Sequence, residues 1–418
     1  MIGGHLKVTI VGAGLAGTIA TRVLREFHDV TLIERTPSTR QEFGAAINMG
    51  PTVTSWLESV GFDRKKAGSL VATQSRMYSG KSGEELQKID MAPFAQHNPS
   101  DWLFQHRADL WSEFFRLATG PADEVALKHE DGSVRCIWNA EVLDIDVNSG
   151  DVTLADGRVI PSDLVIGADG IRSVVRHKVV GEEAFRSARP SGSSAFRLTI
   201  PAEIVPKASA DKFLNREAPV SLEVFLSLDS SNRSVVMYPC RDFQLLNMAC
   251  IAPDNVIGVE TEESWFAKGR KTDLDRCFED FCPEIKSLLG VACDDTVNLW
   301  QLRDQDPLPT YINGRTVLIG DAAHAMTPHQ GQGGTQAVED AAAFQLFAHA
   351  TRATVPTILK DFDRVRRTRA SQIQNNTREA HERKTPERLW KHSLYNWTYP
   401  GINECLRRLN AGEEMIDV

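Results

Sequence analysis

The chain has 418 residues, more than one ordinary core holds, so two or three folding units are expected. It is 42% hydrophobic and 25% charged, which excludes a disordered or fibrous protein. With 47 Lys and Arg against 56 Asp and Glu, the net charge of −9 argues against a phosphate-backbone grip on nucleic acid. No uncharged apolar stretch reaches the roughly 20 residues that a membrane span needs. Seven scattered cysteines without a CxxC pair indicate neither a disulfide frame nor a zinc site, so a reduced, cytoplasmic protein without a metal is the expectation.

In chain order, the first element is a β-branched run, Lys7-Val-Thr-Ile-Val11, which stops at Gly12-Ala-Gly-Leu-Ala-Gly17. A helical pattern follows, with Leu15, Ile19, Val23 and Leu24 on one face, and then a second run, 30–33, ending in Glu34. Strand, glycine turn, helix, strand and acid in this order form a dinucleotide-binding pattern. Gly12 permits the tight turn, Gly14 lets a pyrophosphate approach the backbone, and Gly17 lets helix and strand pack closely. The helix N-terminus offers N–H groups to the phosphates, and Glu34 stands where a carboxylate accepts from a ribose 2′-OH. That carboxylate disfavours a 2′-phosphate, which leaves FAD or NAD.

Residues 164–166 read as a buried strand that ends in Gly167-Ala-Asp-Gly170, followed by Ile171-Arg-Ser-Val-Val-Arg176. A third buried strand over 316–320 leads into Asp321-Ala-Ala-His-Ala-Met-Thr-Pro328, then Gly331-Gln-Gly-Gly334 and an alanine-rich helix over 335–350. Ligands of open α/β sheets bind beyond the carboxyl ends of strands, so three such turns point to one long ligand across the sheet edge. Between 181 and 301 the texture changes to strands over 194–200, 220–226, 234–238 and 243–251, with no clear helix between them, and 86–89 can join that sheet. Segments 261–266 and 273–281 read as edge helices. The region 341–374 reads as helical, with 363–369 as a basic, solvated face. The tail after Lys384 carries Trp390, Trp397 and Tyr399 and shows no motif beyond a packing or dimer surface.

The fold class is therefore α/β plus α+β. A Rossmann-like nucleotide-binding unit over 1–71, 101–182 and 303–350 is interrupted by an antiparallel-sheet substrate unit over 72–100 and 183–302, with a helical region over 351–418. The three motifs, in this order and spacing, resemble the class A FAD-dependent aromatic monooxygenases of the para-hydroxybenzoate and salicylate hydroxylase type, with the fungal members nearest.

The resemblance implies that Gly12, Gly14, Gly17 and Glu34 hold the ADP half of FAD, and that Arg107, opening a helix after Gln105-His106, contacts its phosphates. It implies that Asp169 and Gly170, with Arg172, serve the pyrophosphate and pyridine-nucleotide region. Asp321 falls to the ribityl part, Pro328 lies beside the flavin, and Gly331, Gly333 and Gly334 face the pyrimidine edge. NADH or NADPH is then a transient co-substrate, in keeping with the single GxGxxG. The implied reaction uses O2, through a flavin C4a-hydroperoxide, to oxidise a phenol or hydroxybenzoate-like ring. Indole-alkaloid oxidation and double-bond reduction are the rival reactions, and a non-catalytic flavin protein is a further one. Arg197 and Tyr238 resemble substrate-facing residues of the sheet and are the catalytic candidates, while His106, His324 and His329 are possible acid–base groups near the motifs. A monomer or homodimer is expected.

Overall fold

The computed structural model describes residues 5–39, 45–92, 100–125, 127–129, 132–185, 187–258, 268–381 and 386–416. A six-stranded sheet runs in the order Ile312–Asn313, Thr316–Leu318, Leu164–Gly167, Lys7–Val11, Asp29–Ile33 and Val134–Ile137. Every pairing is parallel except the first. Its strands are apolar on both faces, as a parallel sheet covered by helices requires. Leu164 and Ile166 enter the core that holds the helices Leu15–Leu24, Arg107–Thr119 and Gly333–Ala343. Val165 enters the opposite core, beneath the helix Val174–Val180.

A seven-stranded sheet follows the order Asn298–Asp304, Arg189–Pro201, Leu245–Pro253, Ser234–Cys240, Ser221–Leu226, Gln74–Ser79 and Glu85–Asp90. The run at 86–89 thus joins it, and one pairing, Ser221–Leu226 with Gln74–Ser79, is parallel. Alternation splits its faces: Phe196, Met237 and Met248 enter one apolar cluster, whereas Tyr238 and Cys240 enter another. The expectation of no helix between these strands is corrected by Lys207–Phe213, and the short Asp254–Ile257 follows the last of them. Each spans two turns or fewer, too short for a helical period to stand out in the sequence. The predicted helix at 273–281 is Lys271–Cys277, and 261–266 lies outside the described residues.

Between the two large sheets lies a small antiparallel one, Ala46–Met49, Trp102–His106 and Leu70–Ala72, whose central strand is buried throughout. The alanine-rich helix ends at Ala343 and tightens into a 3-10 turn, Phe344–Phe347. The helices Val355–His381, Pro386–Trp397 and Ile402–Ala411 complete the chain.

The basic stretch 363–369 is not a solvated face throughout. Arg366 and Arg369 are wholly buried, because Glu339 and Asp340 of the alanine-rich helix supply buried counter-charges. An unpaired guanidinium could not enter the core; paired and hydrogen-bonded, it can.

Candidate active site

Strand register brings the three turns side by side. Val11 pairs with both Ile33 and Gly167, and Gly167 pairs with Leu318, so all three chains leave the sheet at one edge. Gly12 has φ +102°, and a Cβ there would lie 2.4 Å from the Ala168 carbonyl oxygen. A Cβ at Gly17 would lie 1.9 Å from the Gly12 carbonyl oxygen, whereas one at Gly14 meets nothing within 4 Å. Glu34 is engaged with the turn itself: one oxygen accepts from the Ala13 N–H at 2.9 Å, the other from the Thr36 N–H and hydroxyl.

Asp169 is turned onto the following helix, accepting from the Ser173 hydroxyl at 2.6 Å and from the Val174 and Val175 N–H groups. It supports the Ser173 cap of that helix and satisfies its first two N–H groups, and Arg172 beside it is exposed. Asp321, in contrast, is exposed, and its carboxylate has no partner among the described residues. Pro328 opens a short 3-10 turn that ends at Gly331, where φ is +61° and a Cβ would lie 2.4 Å from Asn48 Nδ2. A Cβ at Gly333 meets nothing within 4 Å, and one at Gly334 would lie 2.5 Å from Met49 Cε. Gly333 and Gly334 open the helix Gly333–Ala343, whose N-terminus no side chain caps. Arg107 is the first residue of Arg107–Thr119, its N–H bonded to the Ala45 carbonyl, and its charge is felt at Arg197.

The antiparallel sheet presents Arg197 and Tyr238 on one face, flanking the Leu245–Pro253 strand: Arg197 pairs with Ala249 and Tyr238 with Asn247. The Arg197 guanidinium lies 4.5 Å from the Trp300 ring centroid, and its Nε is buried without a hydrogen-bond partner. Burial pulls its pKa down from the ordinary arginine value. Tyr238 is buried with its ring 4.4 Å from that of Phe104, and burial pushes its hydroxyl pKa up. Of the three histidines, His324 is buried against Asp340 at 2.7 Å, and His106 Nδ1 stands 3.1 Å from Arg241. Two cavities lie elsewhere: about 580 Å³ beside Arg35 and Asn139, and about 1130 Å³ beside Arg216 and Phe243. Neither is lined by a residue of the three turns, so the strand ends locate the site.

The FAD binding domain family matches residues 5–377, which takes in all three turns. The FAD-dependent monooxygenase atnJ of Arthrinium sp is 31% identical over 382 residues, covering 90% of this chain and 84% of its own. The chain belongs to the FAD-dependent monooxygenases. It is 29% identical to hispidin-3-hydroxylase of Neonothopanus nambi, over 87% of this chain and 86% of that one. A solved salicylate hydroxylase–substrate complex superimposes with a TM-score of 0.70 at 26% identity, covering 98% of this chain and 93% of that one. Among the described residues, no helix of this monooxygenase is long and apolar enough to cross a membrane.

The site fits the cofactor. Space stands open at Gly14 and Gly333, where a ligand must approach the main chain, and the Asp321 carboxylate is left for one. Sequence reasoning missed the residues that hold the monooxygenase's turns together. Arg176, wholly buried, donates to the carbonyls of Ile171, Asp321 and Ala322, joining the second turn to the third. It ends the quoted second motif, but only a contact across 145 positions reveals its use. Trp300 and Asn247 also escaped notice; the Asn247 side-chain Oδ1 accepts from the Ala46 N–H at 3.0 Å and stitches the substrate-side sheet to the small one.

Proposed function

We propose that this monooxygenase hydroxylates a small, electron-rich aromatic ring bearing an acidic hydroxyl or carboxyl group, with NAD(P)H and O2 as co-substrates. The observation that carries the reading is the half-buried Arg197 guanidinium, stacked over Trp300 with its Nε buried and unpartnered, on the sheet face it shares with Tyr238. A buried donor left unbonded is costly, and an anionic substrate oxygen satisfies it by a charge-assisted bond. Salicylate and hispidin, in the names of two relatives, are oxygenated ring compounds of this general kind.

FAD would be held by Gly12, Gly14, Gly17 and Glu34 at its ADP end, by Arg107 and Gly170 near the phosphates, and by Asp321, Pro328, Gly331, Gly333 and Gly334 toward the ring. When bound, it supplies the redox and oxygen-activating chemistry. The protein's share is positioning and electrostatics. The first turn of Gly333–Ala343 offers N–H groups and partial positive charge to an electron-rich reduced ring system. Asp169 and Arg176 act behind them, keeping the second and third turns in place. Arg197 binds and orients the substrate anion, which fixes the ring carbon that reacts. Tyr238, neutral because it is buried, donates or accepts a hydrogen bond without adding charge, and the aromatic wall around it excludes water.

The residues assigned to the cofactor fall within 1–71, 101–182 and 303–350, and those assigned to the substrate within 183–302. The test is a panel of phenols and hydroxybenzoates offered to the FAD-loaded protein with NADH and NADPH. Oxygen uptake and a product heavier by one oxygen atom are expected for at least one ring. Substrate reduction without oxygen uptake would replace hydroxylation by double-bond reduction.

A further inference from the structure

The geometry points to the C-terminal helix Pro386–Trp397 as a third wall of the substrate chamber, with Trp397 as the residue that sets the size of ring admitted. This rests on the reading that Tyr238 and Arg197 face the substrate.

Four aromatic side chains run without a gap from the tail to the substrate-side sheet. The Trp397 and Trp102 centroids are 5.6 Å apart, those of Trp102 and Phe104 4.8 Å, and those of Phe104 and Tyr238 4.4 Å. These belong to one apolar cluster, in which Trp102, Phe104 and Tyr238 are buried and Trp397 is only partly so. Trp397 thus closes the accessible end of the run. Trp102 is held in turn by the neighbouring strand: its Nε1 donates to Asn48 Oδ1 at 3.0 Å, and Asn48 stands against Gly331 of the flavin-side turn.

The end of the helix is fixed in place. Asn396, buried, donates from Nδ2 to Gln330 Oε1 at 3.2 Å, within the turn between Pro328 and Gly331. Arg369 donates to the main-chain carbonyls of Tyr395 and Asn396 and is itself locked by Glu339. The indole therefore projects from a backbone that cannot drift, as a specificity wall requires. The helix lies beyond residue 377, where the family match ends, whereas every residue assigned to FAD lies before it. Cofactor binding and ring size are thereby placed on separate stretches of the chain.

The test uses the FAD-loaded protein with salicylate and 1-hydroxy-2-naphthoate as probes, each Kd read from the perturbation of the flavin absorbance. Trp397→Ala is expected to shift the ratio of the two Kd values about tenfold toward the bicyclic ring, with flavin occupancy unchanged. Trp397→Leu is expected to shift it the same way by less, and it decides alone should the alanine variant not fold. A purely structural tryptophan would weaken both ligands together. An unchanged ratio, or no perturbation by either probe, overturns the proposal. A shifted ratio in a protein that takes up no oxygen would retire the hydroxylase reading and leave the wall standing, while turnover with an unshifted ratio does the reverse.

Discussion

Arg366 and Asp340 meet with both side chains wholly buried, Nε to Oδ1 at 2.8 Å. The other Asp340 oxygen accepts from the Gly320 N–H at 2.9 Å and stands 2.7 Å from His324 Nε2, so the pair supports the Gly320–Asp321 turn from behind. Breaking a buried pair from one side strands a charge, at a cost on the order of 3–5 kcal/mol. Arg366→Met is expected to lower unfolding stability by that order and to speed flavin release, checked by denaturant titration and flavin fluorescence. Stability equal to the parent's would mean the turn is held by something else.

The same network sets a response to acid. Burial alone would raise the pKa of Glu339 and Asp340, but Arg366 together with Arg369 for the one and His324 for the other outweighs it and holds both below their ordinary values. Carboxylates depressed in the folded state contribute stability above the unfolded range, near about pH 4, and lose it as pH falls through the lower folded values. Melting temperature is expected to drop steeply below about pH 4, and Asp340→Asn, lacking one of these titrations, to give a shallower acid limb.

Two glycines of the first turn separate packing from ligand approach. Gly17→Ala places a methyl 1.9 Å from the Gly12 carbonyl oxygen, so it must distort the turn and should lower stability and flavin content together. Gly14→Ala meets open space, so the apoprotein should melt as the parent does while FAD binds more weakly. Calorimetry of the two apoproteins, with FAD titrations, distinguishes them; equal melting temperatures would undo the packing argument.

Asp321 and Asp169 should part in the same way. Asp321→Ala removes an exposed carboxylate that has no partner among the described residues and is expected to leave stability intact while yielding largely colourless protein. Asp169→Ala removes the acceptor of the first two N–H groups of Val174–Val180, leaving the Ser173 cap, and should cost about 1 kcal/mol of stability. Full flavin occupancy in the Asp321 variant would remove it from the cofactor site.

Arg197→Met should keep the flavin and the fold, since no hydrogen bond to its Nε is lost. A charge-assisted bond to substrate is worth about 1.5–3 kcal/mol, so kcat/KM is expected to fall roughly 10- to 100-fold. Unchanged steady-state kinetics would return Arg197 to a structural role.

Much of this was legible beforehand. The β-branched runs, the glycines at 12, 14 and 17 and the aspartates at 169 and 321 announce the parallel sheet and its turns, because strand preference and turn conformation are local properties. The small sheet Ala46–Met49, Trp102–His106 and Leu70–Ala72 was not, since its short strands lie far apart in the chain. The charged run at 363–369 misled for a related reason: charge periodicity reads as solvation until the counter-charges at 339 and 340 are seen to face it.

By itself, the order of residues determined the cofactor and the turns proposed to hold it, since a turn built for a pyrophosphate needs particular residues at close spacing. Tertiary structure alone decided which side chains are proposed to guard the ring. Trp397, Trp102 and Tyr238 are separated by a hundred residues or more, and Arg366 finds Asp340 only when two helices pack. Such contacts follow from the burial of whole elements against one another, and no local pattern of residues records them.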